Sequence, residues 1–303
     1  MKSLITTLLL AITLSSTVFA DDFDDALAAY NKGNYKTAIK LWRPLAEQGL
    51  ANAQFNLGVM YENGEGVPED DKQAVKWYRL AAEQGHAKAQ YNLGLMYEEG
   101  SGVSEDDKQA VKWYRLAAEQ GHVSAQFNLG LMYVRGDGVP EDDKQAVKWF
   151  RLAAEQGHAK AQYGLGFMYD EGEGVPEDDK QAVKWYRLAA EQGDTTAQYN
   201  LGIMYDNGEG VPEDDKQAVK WYRLAAEQGR AKAQYGLGLM YARGDGVPED
   251  KVLAYMWWNL AAANGIEDAS TSKGIIAKRM TSSQIEKAQE LSRECLKNNY
   301  KNC

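Results

Sequence analysis

Seventeen residues, EDDKQAVKWYRLAAEQG, stand at positions 69 to 85, recur unchanged from 105, 177 and 213, and return from 141 with one change, Phe150 in place of Tyr. An active site needs one arrangement of unlike residues, so verbatim repetition encodes chemistry poorly and a scaffold well. The period is fixed: Gly58, Gly94, Gly130, Gly166, Gly202 and Gly238 are 36 residues apart, as are Trp77, Trp113, Trp149, Trp185, Trp221 and Trp257. Six 36-residue units therefore run from 51 to 266. A repeat array buries each unit against its neighbours, so the length of 303 residues does not by itself set a domain count.

Within a unit, Ala53, Leu57, Met60 and Tyr61 follow the i, i+4, i+7, i+8 rule of an amphipathic helix, and Ala74, Trp77, Tyr78, Ala81 and Ala82 follow it again. Each unit is thus a helical hairpin. Gly64 stops the first helix, Gly66, Val67 and Pro68 form the loop, and Asp70 caps the second helix with Gln73 completing a capping box. Gly85 ends that helix in the left-handed conformation. A glycine inside the first helix costs about 1 kcal/mol against alanine, so Gly58 and its equivalents should be offset by close approach of the second helix at Ala81 or Ala82.

Both ends depart from the period. Residues 23 to 49 read as a hairpin with the shorter loop Lys32-Gly33-Asn34 and with Pro44 in its second helix. At the other end, Lys216, Gln217 and Lys220 of the fifth unit become Val252, Leu253 and Met256 in the sixth, so something apolar must cover them. The expected cover is a final helix with Thr281 as N-cap, Gln284 at its third position, a Met280 to Ile285 staple, and an apolar face of Ile285, Ala288, Leu291 and Cys295.

Residues 1 to 20 read as a cleavable signal. Lys2 supplies the positive start, Leu4 to Leu14 is a short apolar run, and Val18-Phe19-Ala20 has the small residues that precede cleavage, here after Ala20. The run is shorter than the roughly 20 residues of a spanning helix. The expected location is periplasmic or secreted, with no membrane insertion after cleavage. Loss of Lys2 takes the net charge from −10 to −11. Such a surface repels phosphate backbones, which argues against nucleic acid as a partner.

The unit AKAQYNLGLMYEEGSGVSEDDKQAVKWYRLAAEQG resembles a Sel-1-like repeat (SLR), the branch of the tetratricopeptide-repeat (TPR) superfamily with a longer loop between its helices. The opening stretch AYNKGNYKTAIKLWRPLAEQG is similar to the starting hairpin of exported bacterial members. The resemblance covers residues 23 to 266. It implies an all-α fold, a right-handed α-solenoid of stacked helical hairpins, that serves as an adaptor and binds partners on a concave face lined by first helices. The expected organisation is a signal at 1–20, an N-terminal TPR-like hairpin at 21–50, six repeats at 51–266, and a capping helix with tail at 267–303.

Differences among the copies collect at the second, fifth, ninth, twelfth and thirteenth positions of each unit, a spacing that forms one stripe of the first helix. The fourth unit carries Lys160, Tyr163, Phe167, Asp170 and Glu171 there; the third carries Ser124, Phe127, Leu131, Val134 and Arg135. The candidate binding residues are Phe55, Val59, Tyr91, Leu95, Phe127, Leu131, Arg135, Tyr163, Phe167, Tyr199, Ile203, Tyr235, Leu239 and Arg243. Two readings stay open: a groove for a segment of another protein, with apolar anchors and charged edges, or inter-repeat core with drift elsewhere.

Signals of chemistry are weak. His86, His122 and His158 occupy one position of successive units, about 10 Å apart by helix-packing distance, too far to share one zinc. The EDD runs begin helices and lack EF-hand spacing. Ser270-Thr271-Ser272-Lys273 matches a serine-x-x-lysine pattern, but its companion motifs are missing and it falls in the link to the last helix. No metal site or cofactor is expected, and the chain reads as a non-enzyme. Its two cysteines, Cys295 and Cys303, are expected to pair in an oxidising compartment. The reading is an exported scaffold that binds a protein or peptide. The alternative is a cell-envelope protein that binds or hydrolyses β-lactams or peptidoglycan fragments. Some cysteine-rich SLR proteins have been described so, but they carry a cysteine pair per repeat, absent from the repeats of this chain.

Overall fold

The structure is a computed structural model that describes residues 22–301 and residue 303. The expected signal segment lies outside the described residues. Among the described residues all regular structure is helical. Helices α1 (22–31) and α2 (Tyr35–Glu47) form the opening hairpin. The six units then contribute α3 (Ala51–Glu62) with α4 (Asp71–Glu83), α5 (Ala87–Glu99) with α6 (Asp107–Glu119), α7 (Val123–Arg135) with α8 (Asp143–Glu155), α9 (Ala159–Glu171) with α10 (Asp179–Glu191), α11 (Thr195–Asn207) with α12 (Asp215–Ala226), and α13 (Ala231–Arg243) with α14 (Lys251–Ala263). Helices α15 (Glu267–Ala277) and α16 (Ser282–Lys297) follow. The chain falls into two compact units, one up to Trp149 and one from Phe150.

In the first unit each helix packs on the next, and the buried residues are those of the sequence period. Ala74, Val75, Tyr78, Ala81 and Ala82 of α4 form one core with Ala89, Leu93 and Met96 of α5. The second unit repeats this with α10 and α11. Helix ends are closed locally. Asp70 Oδ1 accepts from the Gln73 backbone N–H at 3.1 Å. The reciprocal half of the expected capping box does not form, because the Asp70 backbone N–H already donates to the Tyr61 carbonyl of the preceding helix at 2.9 Å. At Thr281 no such competitor exists, and Gln284 closes the full box. Helix α4 ends in a Schellman pair: His86 N–H donates to Ala81 O, and Gly85 N–H to Ala82 O, with Gly85 at φ 87°.

The helical glycines admit an aromatic ring rather than a neighbouring alanine. A Cβ on Gly94 would lie 2.6 Å from Tyr114 Cδ1, and one on Gly238 equally close to Trp258. The expected contact at Ala81 or Ala82 is thereby corrected. Those alanines lie one turn away, while the bulky residue that needs the space is the tyrosine of the second helix.

Two polar ladders link successive hairpins. Buried Gln90 donates to Ala82 O at 3.1 Å and accepts from Gln120 at 2.7 Å; Gln162 and Gln192, and Gln198 and Gln228, repeat the arrangement. Arg79 donates to the Tyr97 hydroxyl at 2.7 Å, as Arg115 does to Tyr133 and Arg151 to Tyr169. Gln90, Gln162 and Gln198 are thus satisfied by the neighbouring hairpins, which specifies the stacking register there beyond what apolar burial alone would.

The C-terminal end differs from expectation in one element. The presumed link is helix α15, packed on α14, so two helices rather than one close the array. Ile276 of α15 and Ala288 and Cys295 of α16 join the core that holds Met256, with Val252, Leu253, Ile285 and Leu291 packed at its edge. The Ser270 to Lys273 motif belongs to this packing: Lys273 Nζ donates to Asn259 Oδ1 at 2.9 Å and lies over the Tyr255 ring, while Ser270 is exposed. Cys295 and Cys303 are disulfide-bonded, Cα atoms 5.3 Å apart. The closed loop carries Tyr300, whose hydroxyl donates to Asn264 Oδ1, and Asn264 in turn donates to Gln234, the last rung of the glutamine ladder.

Candidate groove on the first-helix stripe

The fifth-position aromatic rings are half-buried, which explains why the sequence supported two readings. One face of each ring lies on the second helix of the hairpin: Phe55 on Tyr78 and Tyr91 on Tyr114, both with ring centroids at 5.8 Å, Tyr163 on Tyr186 at 5.8 Å, Tyr199 on Tyr222 at 5.9 Å, and Tyr235 on Trp258 at 6.5 Å. A second contact meets some of them: His86 stacks on Phe55, His122 on Tyr91, and Arg230 lies over Tyr199. Val59, Leu95, Leu131, Phe167, Ile203 and Leu239, one turn on, are likewise half-buried, as is Phe127.

Two open grooves, one in each unit, take in five of these residues: Phe55 in one, and Tyr163, Phe167, Tyr199 and Ile203 in the other. In the first, Phe55 joins Phe23, Leu27, Asn52, Asn56, His86 and Lys88 around about 400 Å³. In the second, Tyr163, Phe167, Tyr199 and Ile203 line about 330 Å³, flanked by Asp170, Glu171 and Glu209 and by Arg230 and Lys232. Arg135 and Arg243 are not among the lining residues of either groove. Both are exposed in the last turn of their helices, and the Arg243 charge instead acts on Asp206 of the preceding hairpin.

The twelfth position is not a groove edge in every copy. Asp170 accepts from the Tyr186 hydroxyl at 3.0 Å and Asp206 from Tyr222 at 3.2 Å; Glu62 pairs with Tyr78 and Glu98 with Tyr114 in the same way. Burial, with the adjacent carboxylate, pushes these tyrosines well above their ordinary pKa. Burial also raises the carboxyls of Asp170 and Asp206. The repeat whose second helix carries Phe150 has Val134 at the twelfth position, and the one with Trp258 has Ala242. Part of the variation read as specificity is therefore matched to the hydroxyl it must satisfy.

The three histidines are helix caps. Nδ1 of His86 accepts from Ala89 N–H at 3.1 Å, His122 from Ala125 and His158 from Ala161. His86 also stacks on Phe55 at 4.7 Å and His122 on Tyr91 at 4.6 Å. Burial lowers the pKa of all three. Asp194 caps the next first helix, and Arg230, which has no acceptor, leaves α13 without a side-chain cap. Sequence reasoning missed the glutamine ladder as well, although a polar residue at the same apolar-face position of every copy, Gln54 onward, was the signal that marks it.

Stacked helical hairpins define a repeat scaffold. The chain belongs to the Sel1 repeat family: the Sel1 repeat matches residues 29–50, 51–86, 87–122, 123–158, 159–194, 195–229 and 231–266. A Sel1 repeat protein from Oxalobacter formigenes is 37% identical, with a TM-score of 0.68 over 80% of this chain and 96% of that one. A protective antigen present in uropathogenic Escherichia coli strains, displaying an SLR fold, is 30% identical, covering 94% of this chain and 86% of that one at a TM-score of 0.41. Among curated proteins none matches this chain. Sel1 repeats are a non-catalytic scaffold fold whose members generally bind protein partners.

Proposed function

We propose that the chain is an exported, non-enzymatic adaptor of the cell envelope that takes a segment of another protein along its first-helix stripe. Export rests on residues 1–20, with the mature chain starting after Ala20 as an opening hairpin to 50, six repeats to 266 and a closing element to 303. The observation that carries the binding reading is the contrast between the two helices. Five of the six second helices are nearly identical, whereas variation collects on the first-helix stripe, where half-buried aromatic and aliphatic side chains such as Phe55, Tyr163 and Phe167 line open grooves. Half-exposed rings set in a rigid, hydrogen-bonded stack supply desolvated anchors with little conformational entropy left to lose.

Benzoylphenylalanine placed at Phe55 or Phe167 leaves ring packing largely intact and reports what lies on the groove. Placed at Leu80 or Leu188, exposed on the second helices, it reports the opposite side. The expected result in cells is a discrete protein adduct from 55 or 167 and none from 80 or 188. Adducts confined to 80 and 188 would move the site to the second helices. No adduct anywhere, together with a saturable thermal shift from β-lactams or muropeptides, would replace the adaptor with the small-ligand reading.

A further inference from the structure

Arg230 stands at the residue before α13, where the earlier copies carry His86, His122, His158 and Asp194. Those four side chains turn back to accept their own helix's N–H groups. A guanidinium has donors only and cannot do so. Arg230 reaches across to the preceding first helix instead: its Cζ lies 5.3 Å from the centroid of Tyr199, and Nη1 donates to Thr196 Oγ1 at 3.0 Å. Its Nε is buried and without a hydrogen-bond partner among the described residues. Among the described residues no carboxylate forms an ion pair with it. A half-buried guanidinium with donors left over is thus fixed beside Tyr163, Phe167 and Ile203, with Lys232 on the same wall.

We infer that this groove receives an extended peptide segment in which an Asp or Glu side chain lies on Arg230, between apolar residues seated on Tyr163, Phe167, Tyr199 and Ile203. The inference rests on the adaptor reading and narrows it. A planar carboxylate matches two guanidinium donors at once. A phosphate does not suit, because its nearly double charge would face Asp170, Glu171 and Glu209 in the same groove. A side chain is favoured over a chain terminus because the apolar row continues past Arg230 through Tyr235 and Leu239, so the segment has a surface on which to run on.

The test uses the mature full chain and a positional-scanning library of capped hexapeptides built on Leu and Phe, with Glu, Gln or Lys at one position at a time. An added arm carries Gln throughout and a free C-terminal acid. The variant is Arg230→His, the residue that three other copies hold at this place. We expect Glu to bind about tenfold more tightly than Gln at one position in the wild type, with the Arg230 Nε–H NMR signal shifting on binding. Arg230→His should erase the difference between Glu and Gln peptides. Equal binding of Glu and Gln peptides would overturn the carboxylate inference and leave the adaptor reading standing. So would a preference that survives Arg230→His. Preference for the free terminus alone would overturn the side-chain assignment. No peptide bound at all would sink both the inference and the groove on which it rests.

Discussion

Histidine at an N-cap is an acceptor only while Nδ1 is unprotonated, so His86, His122 and His158 tie helix capping to pH. Their pKa values are lowered in the fold, chiefly by burial. As pH drops below the unfolded value of about 6.5, the unfolded chain takes up protons that the folded chain resists. Stability is therefore full above that value and declines as pH falls through it. Thermal melts between about pH 7.5 and 5.5 should show Tm falling with pH, and replacing the three histidines by Asn should flatten the profile, since Asn caps without titrating. His86→Ala should cost about 1 kcal/mol at neutral pH in denaturant unfolding. Arg230→His should instead stabilise by about 0.5–1 kcal/mol, because it restores a cap that the arginine gives up. The sequence put these residues at one position but could not show which way each side chain turns, and that depends on the ring beside it.

At the scale of the helix, two kinds of glycine look alike in sequence and differ in the fold. Gly94 faces the Tyr114 ring, where an added Cβ would sit 2.6 Å from Cδ1, and the ring cannot retreat because its hydroxyl is held by Glu98. Gly164, also inside a first helix, would place a Cβ 3.4 Å from Phe150, an ordinary contact. Gly94→Ala should therefore destabilise by about 1–3 kcal/mol through overpacking. Gly164→Ala should stabilise by about 0.5–1 kcal/mol through lower backbone entropy in the unfolded chain. Opposite signs in urea unfolding check the pair; equal signs would contradict the packing described. Hairpin existence, helix ends and the apolar faces were legible because periodicity, Asp caps and glycine stops act locally. Helix α15 was not, since only Ala269 and Ile276 of it are buried and no apolar stripe announces it. The role of Asp170 and Asp206 was also hidden, because their tyrosine partners lie 16 residues away in the other helix of the hairpin.

Over the whole molecule, an array built from near-identical units has to end, and its ends carry the residues that break the period. Within each compact unit a hairpin hands an amide bond to the next through the glutamine ladder, as Gln120 does to Gln90 and Gln228 to Gln198. At the C-terminal side Asn264 replaces the glutamine, and Tyr300 closes the series from a loop that the Cys295–Cys303 bond holds in place. That loop also lays Tyr300 against Gly229, so the covalently held ring meets the turn after α12 as well as the one after α14. Closing so short a loop contributes at most about 2–3 kcal/mol by the chain-entropy account. Because stability in a stack passes between neighbours, the loss should be felt first in α14 to α16 and only weakly in the repeats before them. Cys303→Ser should speed amide hydrogen exchange across α16 and the 264–266 turn while leaving α5 and α6 unchanged. Uniform acceleration throughout would mean that the chain unfolds as one cooperative body and that the tail secures all of it rather than its last rung.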